Sequence, residues 1–402
     1  MDRRRWWSVG VTVMVLTLCA VTAWAEKKVR VMIKFHSHPN VNVVKDAGGV
    51  VHVVISGSKR CVATLPASAI ARLRAHASVE FVEPDVQIDC HGPHPGEPPP
   101  PPTPPGQTLP TGVDRVEGDV SSAQSGNGSG TTDVDVAVID TGIDLDHSEL
   151  NVIQNVNCLG TGANGDDDFG HGSHVAGIVG ARDDATGVVG LAPGARLWAV
   201  KSLDRTGTGW VSTVAAGLDY VTQNSGEIEV VALAAGFRGT SVILSAALSS
   251  CVAAGVTVVV PAGNDATLAN YYTPANLNDV IAVSAIVDTD GRPGGLGASS
   301  VDGNDDAFAA FSNYGGCVDL AAPGVDIRST WMNGGYNTVS GSSSAASHVA
   351  GVVALYLSSH PGTPPQAVLQ TLQAAGFAQG SAGGFSGDPD STPERLVNAA
   401  GF

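Results

Sequence analysis

Basic charge is scarce in this chain. From Gln107 to the end there are 9 Lys+Arg against 30 Asp+Glu, and Lys201 is the only lysine in that stretch. With a formal net charge of −17, composition argues against nucleic acid or an anionic membrane surface as a partner. Aromatic residues make up only 5% while glycines number 50, a balance suited to a tight α/β fold with many turns. The six cysteines show no metal-ligand spacing, so zinc is not expected. No apolar run is long enough to span a bilayer. The longest, Val9 to Val21, lies between Arg3-Arg-Arg5 and Ala23-Trp-Ala25, which reads as a Sec-type signal peptide over residues 1–25. A lipoprotein site at Cys19 or a twin-arginine signal at Arg4-Arg5 fits less well. The expected product is exported, with no membrane attachment after signal removal.

What is present divides into three parts. Residues 26–90 read as a small α+β unit, with strands at Val29–Phe35, Val50–Ile55, Arg60–Leu65 and Val79–Val82 and a helix at Ala67–Ala75. Residues 91–107 contain consecutive prolines from Pro98 to Pro102 and read as an exposed polyproline II linker. Residues 108–402 alternate apolar runs, at Val134–Ile139, Leu197–Val200, Ile228–Leu233, Val256–Val260 and Val280–Ala285, with helical spacing at Ser212–Thr222 and Val242–Ala254. Parallel strands joined by helices predict a three-layer, doubly wound α/β sheet with reactive groups at strand ends and helix starts. The basic front part could dock electrostatically on the acidic rear part.

Three segments carry chemistry. Val134-Asp-Val-Ala-Val-Ile-Asp140-Thr-Gly places an aspartate at a strand end. Gly170-His171-Gly-Ser-His-Val-Ala-Gly177 places a histidine at a helix start. Gly341-Ser-Ser343-Ser-Ala-Ala-Ser-His-Val-Ala-Gly351 does the same for a serine. A serine hydroxyl becomes a useful nucleophile when an imidazole takes its proton and a carboxylate orients that imidazole. Chemistry alone leaves His171 and His174 as rival bases, and Ser342, Ser343 and Ser344 as rival nucleophiles.

In these residues, and in the order Asp, His, Ser, the chain resembles the subtilisin (subtilase) family from about Leu109 onward. The resemblance selects Asp140, His171 and Ser343 as the triad of a serine endopeptidase. It also points to Asn264, in Val256-Thr-Val-Val-Val-Pro261-Ala-Gly-Asn264, as oxyanion donor. It implies substrate-binding edges at Gly207-Thr208-Gly209 and at Ala234-Ala235-Gly236, with Ala262 and Gly263 beside them. Ser342, Ser344 and Ser347 stand where the family has Thr, Met and Pro, and Phe237 follows an altered Ala-Ala-Gly edge where it could narrow the cleft. Ala63-Thr-Leu-Pro66 and Val82-Glu-Pro-Asp85 resemble landmarks of the family's inhibitor-type propeptide, a ferredoxin-like unit. That implies a self-processing zymogen whose own propeptide inhibits it, acting on polypeptides as a monomer.

Cys158, Cys251 and Cys317 allow one disulfide, with Cys158 the favoured member. The acidic loops at Asp288-Thr-Asp290-Gly and Asp302-Gly-Asn-Asp305-Asp306 offer oxygen ligands, and the family suggests structural calcium, placed here at Asp288 and Asp290, with no cofactor for catalysis. The competing function is a catalytically weak, peptide-binding pseudoprotease of the same fold.

Overall fold

The computed structural model describes residues 27–55, 58–90, 106–160, 162 and 164–402. The expected signal peptide and nearly all of the expected linker lie outside the described residues.

The N-terminal unit runs β1 (Lys28–Phe35), α1 (Val41–Asp46), β2 (Val50–Val54), β3 (Arg60–Pro66), α2 (Ala67–Arg74) and β4 (Val79–Pro84). Its antiparallel sheet has the order β2-β3-β1-β4. Period-two alternation sorts β1 between two cores. Val31, Ile33 and Phe35 pack beneath the unit's own helices with Leu65, Leu73 and Val82, whereas Met32 and Val62 face the larger domain. Met32 and Val62 are fully buried there, each contributing roughly 2 kcal/mol of transfer free energy.

A short strand, β5 (Gln87–Asp89), leaves this unit before the larger domain begins with α3 (Thr111–Arg115). The domain continues through β6 (Asp135–Asp140), β7 (Val152–Asn157), α4 (His171–Gly180), β8 (Arg196–Lys201), β9 (Thr208–Trp210) and α5 (Val211–Gln223). Next come β10 (Val230–Leu233), β11 (Phe237–Arg238), α6 (Val242–Ala253), β12 (Thr257–Pro261), β13 (Tyr272–Thr273) and β14 (Ile281–Ile286). The remainder is β15 (Leu320–Pro323), β16 (Ile327–Trp331), β17 (Gly335–Val339), α7 (Ser342–Ser359), α8 (Pro365–Ala375), β18 (Phe377–Ala378) and β19 (Arg395–Leu396).

The central sheet has nine strands in the order β18-β19-β15-β14-β12-β10-β6-β8-β7, all parallel except the edge strand β18. Its middle strands are buried at every residue, which is why they read as unbroken apolar runs rather than alternating ones. One face is covered by α4 and α7, the other by α5 and α6, giving the expected three layers. Helix α7 is buried from Ser342 through Leu357, a core helix that is apolar or small all round. Chain reversals at the sheet's carboxyl edge bring the ends of β6, β8 and β12 and the starts of α4 and α7 into one crevice.

Candidate active site

Asp140 closes β6 and His171 opens α4. The His171 Nδ1 lies 2.9 Å from both Asp140 carboxylate oxygens, and its Nε2 lies 3.0 Å from the Ser343 Oγ at the start of α7. All three side chains are buried, at 0%, 1% and 2% exposure. Burial by itself would push the His171 imidazole down. The adjacent Asp140 carboxylate outweighs this and holds it well above its ordinary value. His174, one turn on, points away: its Nε2 is 2.8 Å from the Ile327 carbonyl, and burial drives it down to about 3. Geometry therefore separates two histidines that residue type cannot.

The loops are pinned by Asp167, an acidic residue whose positioning role the sequence does not reveal. Asp167 accepts from the Thr141 hydroxyl at 2.8 Å, from the Phe169 and Gly170 amides, and from both the amide and the hydroxyl of Ser173. Ser173, where the family pattern has threonine, thus keeps a hydroxyl bonded to Asp167. Gly172 must be glycine, because a Cβ there would stand 1.9 Å from the Gly142 carbonyl oxygen. Lys201, the one lysine of this half of the chain, ends β8 beside Asp140, its ammonium on the Thr141 carbonyl and 2.5 Å from Asp168.

Asn264 sits three residues beyond β12. Its Oδ1 accepts from the Ser342 amide at 2.8 Å and the Ser342 hydroxyl at 2.7 Å, which orients the carboxamide. A Cβ placed on Gly341 would lie 3.2 Å from the Ser343 Oγ, 3.4 Å from the Asn264 Nδ2 and 3.9 Å from the Ser343 amide nitrogen. The Ser343 hydroxyl and two N–H groups therefore surround one small space, kept open by glycine.

A strand lies in the cleft. β5 pairs antiparallel with β9, Ile88 opposite Gly209 and Asp89 opposite Thr208. Asp89 also exchanges both backbone hydrogen bonds with Gly236, at 3.3 and 3.0 Å, and the Cys90 amide donates to the Gly207 carbonyl at 3.1 Å. Gly207, Thr208, Gly209 and Gly236 are thus brought together around one extended segment, while Ala234, Ala235, Ala262 and Gly263 form the buried ends of β10 and β12 behind it. The Cys90 thiol rests against Gly207 and the His171 ring.

This geometry is matched by a family model: the Subtilase family aligns with residues 131–396. The chain belongs to the subtilase family. Among subtilases it is 36% identical to an extracellular serine proteinase of Thermus sp. (strain Rt41A) over 335 residues, 81% of this chain and 73% of that one. It is 33% identical to subtilisin E of Bacillus subtilis (strain 168) over 324 residues, 80% of this chain and 76% of the relative. The crystal structure of a cold adapted subtilisin-like serine proteinase superposes with a TM-score of 0.59 at 30% identity, covering 72% of this chain and 97% of that one. The enzyme class follows: this subtilase is a serine endopeptidase, and no helix among its described residues is long and apolar enough to cross a membrane.

Two expectations change. Cys158, Cys251 and Cys317 are all free thiols, so the expected disulfide is not formed. Cys158 follows β7 and Cys317 precedes β15, six strands away in the sheet. At about 4.8 Å per strand that far exceeds the roughly 7 Å limit for bridged Cα atoms. Phe237 does not cover the cleft: it turns inward, 6% exposed, into the apolar cluster of Leu203 and Ile243. Asp288 and Asp290 do converge, together with Asp305, well outside the triad's contacts.

Proposed function

We propose that this subtilase is an exported, self-processing endopeptidase in which Ser343 is the nucleophile, His171 the base and then the acid, Asp140 the orienting carboxylate and Asn264 an oxyanion donor. The carrying observation is the continuous Asp140–His171–Ser343 hydrogen-bond chain. Ser343 Oγ attacks the substrate carbonyl carbon as its proton passes to His171 Nε2. The oxyanion settles among the Asn264 amide and the Ser343 N–H, and collapse expels the amine, which takes the proton from Nε2. Water then enters by the same route in reverse to free the acyl group. Each step uses groups of the chain itself. Removing the Asn264 donor (Asn264→Ala) should lower kcat by about 100- to 1000-fold with KM little changed, a range taken from subtilisin. Steady-state kinetics on a peptide amide checks it.

Residues 26–90 act in this reading as the inhibitory propeptide. Glu83 accepts from the Ser241 hydroxyl at 2.6 Å and from the Val242 and Ile243 amides at the start of α6. Asp85 accepts from the Ser212 amide at 2.9 Å and hydroxyl at 2.7 Å at the start of α5. Two propeptide carboxylates thus satisfy helix N-termini and their positive dipole ends. Glu83→Ala should cost about 1 kcal/mol, so the Val242 and Ile243 amides should exchange hydrogen about fivefold faster in the full Ser343→Ala chain. Unchanged exchange there would remove Glu83 from the docking.

The β5 strand also supports a reading of the processing bond. Along an extended chain the N–H and C=O of one residue face one side and those of the next face the other. Asp89 faces Gly236, and Cys90 faces Gly207. The Asp89 carbonyl is occupied by the Gly236 amide and the Cys90 amide by the Gly207 carbonyl, so carrying this alternation one residue along the sequence makes His91–Gly92 our proposed processing bond.

A further inference from the structure

From Gln107 onward the chain holds a single lysine, and the fold buries it beside the triad. Lys201 ends β8 in register with Asp140 at the end of β6, and it is only 4% exposed. Lysines are rarely buried unless their charge is paired. Here the ammonium donates to the Thr141 carbonyl and, at 2.5 Å, to Asp168 Oδ1. The Asp168 side chain is half-exposed, so the ammonium is held inside while its partner carboxylate reaches water. No step of peptide hydrolysis calls for this charge.

The two partners of the ammonium belong to different loops. Thr141 directly follows Asp140, whose Oδ1 accepts from the Thr141 amide at 2.6 Å. Asp168 lies in the segment that leads into His171 at the start of α4. The chain leaving β8 grips the aspartate's backbone as well, because the Ser202 and Leu203 amides donate to the Asp140 carbonyl at 2.8 and 3.0 Å. Lys201 therefore joins three segments, the ends of β6 and β8 and the approach to α4, where the spacing of Asp140 and His171 is set. The Thr141 hydroxyl also ties the two loops, donating to Asp167 at 2.8 Å and accepting from the Gly172 amide at 2.9 Å. Of these donors the ammonium is the charged one, and charge-assisted hydrogen bonds are roughly twice as strong as neutral ones.

We propose that Lys201 is a positioning residue for proteolysis, clamping the Thr141 carbonyl to Asp168 and so holding the Asp140 carboxylate against His171 Nδ1. The inference rests on the triad reading given above. Lys201 touches neither the substrate nor the reacting atoms, so its effect passes through the orientation of the imidazole. A displacement on the order of 1 Å at such a place costs about a hundredfold in rate.

The test compares the self-processed parent with Lys201→Met, which keeps the apolar stem and removes the ammonium, with Asp168→Ala, and with the double variant. Asp168 is at the surface, so folding is not at stake in its replacement. Lys201→Met should lower kcat by about a hundredfold with KM changed less than about twofold. Asp168→Ala should lower kcat in the same sense by less, and the double variant should be scarcely slower than Lys201→Met, since both break one clamp. The downfield proton resonance of the His171 Nδ1–H, followed in full chains carrying Ser343→Ala, should broaden or move upfield in both single variants. A lysine that served stability alone would lower Tm and leave kcat and this resonance unchanged, which would overturn the proposal. So would a loss confined to KM, or losses that multiply in the double variant. A parent that hydrolyses no peptide would instead sink the proteolytic reading, and the resonance would still decide whether Lys201 orients His171.

Discussion

Replacing Ser343 by alanine is expected to lower peptide-amide hydrolysis by about a millionfold, the loss the same substitution causes in subtilisin, a member of this family. The size of the effect comes from cooperation. Without Oγ, the imidazole 3.0 Å away has no proton to accept, and Asp140 orients a base with nothing to activate. His171→Ala should therefore cost nearly as much, and the double variant scarcely more than either single one. Rates measured for all three test this directly. Losses that multiplied in the double variant would mean that the two side chains act separately. The fold should tolerate Ser343→Ala, because the hydroxyl is small and the core contacts of α7 lie along the rest of the helix.

Asp140→Asn should lower the plateau of kcat by roughly ten-thousandfold. An amide can present its N–H to Nδ1, which favours the tautomer with the proton on Nε2 and removes the acceptor that Ser343 needs. The pH profile should move as well. Hydrolysis requires neutral His171, and the Asp140 charge raises that ring, an effect that remains once Cys90, which also raises it in the unprocessed chain, has left, so native activity should rise with pH. With the charge removed, desolvation is left to dominate and the imidazole falls. The acid limb of kcat/KM should then shift to lower pH while the plateau drops. A full profile from pH 5 to 10 on both proteins distinguishes this from simple misfolding, which lowers the plateau without moving the limb.

How far the sequence carried the reading depended on the distance over which each feature is encoded. Asp140, His171 and Ser343 stand in short local motifs, and the unbroken apolar runs of β6, β10, β12 and β14 follow from burial on both faces. The choice between His171 and His174 was not local: it rests on which ring meets Asp140 and which meets the Ile327 carbonyl. β5 was invisible as a strand because its partners are backbone edges more than a hundred residues away. Charge composition suggested a basic front docking on an acidic rear. Among the described residues Arg60 with Asp219 is a contact of that kind, but Glu83 and Asp85 dock by capping helix N-termini, an attraction that residue counts do not register. The disulfide expectation failed for a related reason, since cysteine spacing carries no information about sheet order. Both acidic loops were legible as oxygen-rich, but that Asp305 returns to Asp288 and Asp290 was not, because only the folded loop brings them together.

The most direct test of the whole account is N-terminal sequencing and intact mass of the secreted chain, beside the same chain carrying Ser343→Ala. The account requires the native chain to shorten and begin at Gly92, while the alanine chain keeps its N-terminal unit uncut. If both stay whole while folded, or both are cut at the same bond, Ser343 is not the nucleophile that releases this enzyme.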